Sequence, residues 1–87
     1  MPSRHVIIRV HNGVHARPVA ELARLALAHP APVTLRAANG TTVAVSSVLA
    51  VMDLGLAEGE EVVLDTQPSA DADQVLEAMA RVLDPLA

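Results

Sequence analysis

Apolar and polar residues alternate, then cycle, then alternate again along this chain, and each change of period marks an element. In Arg4–Val10 the apolar residues Val6, Ile8 and Val10 occupy every second position, the period of a strand with one buried face. Over Ala16–Ala28 the period lengthens, and Val19, Leu22, Ala23 and Ala26 recur at helical spacing. This predicts a helix that turns one stripe toward a core. Pro18 is compatible with it, because the first helical turn has no N–H bond to lose. His29-Pro30-Ala31-Pro32 stops the helix. Val33–Ala37 alternates again, with Val33, Leu35 and Ala37 on one side. Asn39-Gly40 then predicts a two-residue hairpin into a β-branched strand, Thr41–Val45.

Ser46-Ser47 opens a short helix from Val48 to about Leu54, closed by Gly55. Glu58-Gly59-Glu60 is a turn, and Glu61–Thr66 a fourth strand. The last helix starts near Asp71, where Asp71 and Gln74 suggest a capping box. It carries Val75, Leu76, Met79, Val82 and Leu83 at helical spacing and ends at Pro85. The order βαββαβα predicts an α+β fold, a four-stranded antiparallel sheet with three helices on one face. Residues 1–87 are expected to form a single domain, with no room for a second core.

Composition then excludes several functions. The chain has no Phe, Trp or Tyr, so its core must be aliphatic and thin. Without cysteine it has neither a disulfide framework nor a thiolate metal site. No signal peptide and no bilayer-length apolar run is seen, so the expected setting is cytoplasmic, without membrane insertion. The net charge is -4, lysine is absent, and the six arginines are scattered. Nucleic acid is therefore not an expected partner, since clustered cations and stacking rings are both missing. No Walker-type glycine loop is present, so self-phosphorylation from ATP is not expected.

Candidate chemistry gathers in Asn12-Gly13-Val14-His15-Ala16-Arg17-Pro18. His15 falls in the turn from the first strand to the first helix, where the leading N–H groups lack helical partners. Those groups, the positive end of the helix dipole and Arg17 make an anion site. An imidazole beside such a site can accept a phosphoryl group as a covalent phosphoramidate. Positive surroundings also favour its neutral, nucleophilic form. An isolated histidine here would be read as a surface or capping residue; the spacing to Gly13 and Arg17 favours chemistry. Of the other histidines, His5 reads as an edge or surface residue, and His29 as a helix-end residue beside the negative dipole terminus. His11 and His15 are four apart but a turn separates them, so no helical metal pair arises. Neither a metal nor another cofactor is expected, and Glu58, Glu60 and Glu61 read as a solvated turn.

The segment Gly13-Val14-His15-Ala16-Arg17-Pro18 resembles the active-site signature of HPr, the histidine phosphocarrier family of the bacterial phosphoenolpyruvate-dependent sugar phosphotransferase system. Ser47-Val48-Leu49-Ala50-Val51-Met52-Asp53-Leu54-Gly55-Leu56 resembles the family's regulatory-serine segment. The resemblance covers essentially the whole chain and implies an open-faced β-sandwich. It implies that His15 takes a phosphoryl group on Nδ1 from phospho-enzyme I and passes it to a histidine of a sugar-specific enzyme IIA domain. The protein would then be a carrier, expected to be monomeric, and no stand-alone enzyme. Arg17 would hold the phosphate, and backbone N–H groups near Ala16 and Arg17 would complete the cradle. Val48, Leu49 and Met52, with Ala20, would form an apolar docking patch, with Arg17 and Arg24 as its cations. Ser47, which aligns when Leu54-Gly55 is the anchor, would be the site of an HPr kinase, and a phosphate there would put negative charge on the docking face.

The chain also departs from the family pattern. Many members carry a lysine just before the regulatory serine, where Ser46 stands here, and further basic residues around the docking face. Steering toward acidic partners should be weaker as a result. Two other readings compete. One is a regulatory HPr paralogue, of a nitrogen or dihydroxyacetone branch, acting through the patch and Ser47. The other is a small-ligand-binding sandwich of the ACT-like kind, which the element order alone would permit but which has no need of a His-x-Arg-Pro turn.

Overall fold

The computed structural model describes residues 2–10 and 16–85. In chain order the elements are β1 (Ser3–Ile7), α1 (Ala16–Ala28), β2 (Val33–Arg36), β3 (Thr42–Ala44), α2 (Val48–Asp53), β4 (Glu61–Thr66) and α3 (Ala72–Leu83). The strands form one antiparallel sheet in the order β1-β4-β2-β3. This is the expected βαββαβα arrangement.

Register explains how the sheet acquires two different faces. Val6 opposes Val62, and Leu64 lies between Arg4 and Leu35, with Val43 beyond Leu35. Their face meets the helices: Val6, Ile8, Leu35, Val62 and Leu64 join Leu22, Ala26, Leu76, Met79 and Leu83 in one core. The other face carries His5, Ile7, Arg36, Thr42 and Ala44, all exposed, around a central Val63. A sheet covered on one side only must alternate in this way. The helical layer has α3 beside β1 and β4, α2 beside β3, and α1 packed against both other helices. All four predicted core positions of α1, Val19, Leu22, Ala23 and Ala26, are buried, and Pro18 is buried with them.

Several ends differ from the sequence reading, each for a local reason. β1 stops at Ile7, short of Val10. The Ile8 amide still donates to the Glu60 carbonyl at 2.8 Å, but the Arg9 amide donates to the Leu83 carbonyl at 2.8 Å, which draws the chain off the sheet toward α3. The hairpin has three linking residues, Ala38-Asn39-Gly40, where two were expected. The Ala37 amide donates to Thr41 O at 2.8 Å and the Gly40 amide to Ala37 O at 2.9 Å. Gly40 has φ +92°, the left-handed position of a three-residue hairpin. The Asn39 side-chain oxygen accepts from the Thr41 amide at 2.9 Å. The capping box at Asp71 does not form: Asp71 has φ −102° and ψ 2° and makes no side-chain cap bond. A turn from Ser69, closed by the Ala72 amide, sets that conformation, whereas a side-chain cap needs extended backbone. Thr66 is buried yet satisfied, its hydroxyl donating to the Pro32 carbonyl at 2.9 Å.

Candidate functional site

The first candidate is the start of α1. His15, with Gly13, lies outside the described residues. Its neighbours Ala16 and Arg17 are the first two residues of α1, and both are exposed. Pro18, third in the helix, carries no N–H, so the leading amides of the first turn come from Ala16, Arg17 and Val19. The first turn contains no acidic side chain. The positive end of the α1 dipole therefore meets no acidic side chain from its own first turn, and the same turn carries Arg17.

The second candidate is α2. Ser47 is its N-cap, with φ −95° and ψ 100°, and its hydroxyl oxygen accepts from the Ala50 amide at 3.2 Å. Gly55 follows the helix at φ +60°, a left-handed residue that closes it as the sequence predicts. Six residues cannot bury every apolar side chain, and only Val51 is fully buried. Val48, Leu49 and Met52 are 38%, 72% and 42% exposed. Ala20 and Arg24, on α1, are exposed too.

Sequence reasoning missed two residues of α1. Leu27 is 74% exposed and stands seven residues from Ala20, two turns along the same stripe. Leu25 and Ala28 line the cleft toward α3, so Ala20 and Leu27 occupy the opposite flank, toward α2. The second is Glu21, whose Oε2 accepts from Arg24 Nε at 3.1 Å while Oε1 pairs with Arg24 Nη2. The signals were present as an i,i+7 and an i,i+3 spacing. This hydrogen bonding is the chief cause that raises the pKa of Arg24 and lowers that of Glu21.

Other expectations fall elsewhere. His5 is exposed, with Nδ1 3.9 Å from Glu61 Oε1. His29 follows α1, as expected, but its Nε2 is buried without a hydrogen-bond partner. Among the described residues no three His, Cys, Asp or Glu gather as a metal site, and no helix is long and apolar enough to cross a membrane.

A half-covered antiparallel sheet, with a His-x-Arg sequence entering its first helix and an apolar short helix beside it, defines a class: small phosphocarriers that work by docking to other proteins. The comparisons agree. The family model described as PTS HPr component, phosphorylation site, matches residues 2–84. Phosphocarrier protein HPr of Streptomyces coelicolor is 39% identical over 83 residues, 95% of this chain and 88% of that protein. The crystal structure of a phosphocarrier protein HPr from Bacillus anthracis superposes with a TM-score of 0.85 at 29% identity, covering 95% of this chain and 96% of that one. Crh of Bacillus subtilis, described as a domain-swapped dimer, superposes with a TM-score of 0.68 at 28% identity, covering all of this chain and 98% of its own. The chain belongs to the HPr family of the phosphotransferase system.

Proposed function

We propose that this protein accepts a phosphoryl group on His15 from phospho-enzyme I and passes it to sugar-specific enzyme IIA domains. The observation that carries the reading is the family match over residues 2–84, joined to a His15-Ala16-Arg17-Pro18 sequence at the head of a helix whose first turn has no acid. The transfer is in line. The imidazole lone pair forms the new P–N bond as the bond to the donor histidine breaks. Positioning and charge stabilisation are then most of the protein's work. Arg17 and the amides of Ala16 and Arg17 neutralise the phosphoryl oxygens through charge-assisted hydrogen bonds. Val48, Leu49 and Met52, with Ala20 and Arg24, seat the partner beside the site. The carrier works as a cytoplasmic, single-domain monomer.

Ser47 carries a second, regulatory reading. It is at the start of α2, at the edge of the exposed apolar residues. Phosphorylation by an HPr kinase would keep an oxygen acceptor for the Ala50 amide and add negative charge to the docking face.

The test is the intact mass of the protein after incubation with phosphoenolpyruvate and the host's enzyme I, beside His15→Ala. The wild type should gain one acid-labile phosphoryl group and the variant none, while both unfold cooperatively. No gain with an enzyme I active on another HPr would leave only the regulatory reading.

A further inference from the structure

An acid stands at the end of α3, where the local chemistry disfavours one. Asp84 is the C-cap of that helix, at the negative end of its dipole, a position that suits cations. Its side chain is only 16% exposed, so its charge is costly unless it is paired. Arg81, the cation of the last helical turn, engages Glu77 instead, with Nε 3.3 Å from Oε1. Arg9, just beyond β1, is the residue that meets Asp84. Its Nε lies 3.3 Å from Oδ2, and its amide donates to the Leu83 carbonyl at 2.8 Å. Side chain and backbone of one residue thus hold the same helix end.

That end lies toward the start of α1. Leu25, Ala28 and His29, at the close of α1, line one cleft with Asp71, Gln74 and Val75, at the opening of α3. The two helices pack against each other and therefore run antiparallel, so α3 finishes at the end of the molecule where α1 begins. In the sequence, His15 is the sixth residue after Arg9 and directly precedes Ala16, the first of α1. Anchoring both ends of so short a link removes much of its conformational freedom.

We infer that Arg9 is a positioning residue for phosphoryl transfer: its pair with Asp84 moors the chain leading to His15 against the end of α3 and narrows the positions open to the imidazole. The inference rests on the phosphocarrier reading. A nucleophile with more freedom reaches the in-line geometry less often, while the residues assigned to docking are unchanged. The loss therefore falls on the rate of transfer and spares partner affinity.

The test is rapid-quench transfer from the host's phospho-enzyme I, read as the rate at saturating carrier and the carrier concentration that gives half that rate. Arg9→Gln and Asp84→Asn should each lower the saturating rate by about tenfold and leave the half-saturating concentration within about twofold. Combining the two should be no slower than the worse single variant, because both remove the same contact. The charge swap, Arg9→Asp with Asp84→Arg, should recover most of the rate. Cooperative thermal unfolding above the assay temperature would show that each variant is measured in its folded state. Unchanged saturating rates in both single variants would overturn the inference and leave the carrier function intact. A rise confined to the half-saturating concentration would place Arg9 in docking and overturn it too. A rate lowered by Arg9→Gln but not by Asp84→Asn would make the charge of Asp84 the cause, against the mooring. The absence of any phosphohistidine on the wild type would overturn the carrier reading itself, and this inference with it.

Discussion

Glu21 is a surface residue whose chemistry is set by one neighbour. Hydrogen bonding from Arg24 holds its carboxyl below the ordinary range; slight burial opposes this, and the charge attraction of Arg24 adds to it. A lowered carboxyl pKa means that the pairing contributes above the ordinary glutamate range and is lost as pH falls through the folded-state value. Arg24→Gln should therefore move the Glu21 titration upward in a carboxyl NMR experiment. A titration that stays in place would show that Arg24 is not the cause. The spacing alone permitted this pair, but i,i+3 contacts also require compatible rotamers, and the alternation of apolar residues says nothing about those. The same holds for Leu27, which reads as one more apolar position until α1 is seen to turn it outward.

Among the elements, α2 shows how much one side chain can do for a short helix. Six residues give few internal bonds, so closure at both ends matters more than propensity. The Ser47 hydroxyl closes one end and Gly55 the other. Ser47→Ala should cost about 1 kcal/mol in urea unfolding, and Ser47→Asp, which can still cap, should cost only a few tenths. Equal losses in both variants would remove the capping bond as the explanation. This cap was legible because serine before an apolar turn has few other uses. The Asp71 cap was equally plausible in sequence and does not form, because the turn closed by Ser69 and Ala72 sets the backbone of Asp71 first. The hairpin taught a similar lesson: Asn39-Gly40 announced a reversal, but its length was decided by the pairing of Ala37 with Thr41.

Across the whole molecule, the sheet order β1-β4-β2-β3 places β4 and β2 at the centre, and their inward residues anchor the core. Leu35 is fully buried, between Leu64 and Val43 on neighbouring strands. Leu35→Ala should cost about 2–5 kcal/mol, a large part of the roughly 5–15 kcal/mol that holds a small domain together. Calorimetry would check it, and a loss under about 1 kcal/mol would mean that the sheet and helices collapse onto the gap. The layer arrangement was legible because strand and helix periods differ so clearly along the chain. The flank that each helix turns to its neighbours depends on the packing of α1 between α2 and α3, and no local period encodes that.

The buried hydrophobic residues of this protein are all aliphatic or thioether, and the chain contains no Phe, Trp or Tyr. Optically, the molecule is therefore nearly blank beyond the absorption of its peptide bonds. A single tryptophan placed at Leu49 would be the chain's sole intrinsic fluorophore, and it would stand where a partner is expected to touch. Its emission would report that contact without any background from the protein that carries it.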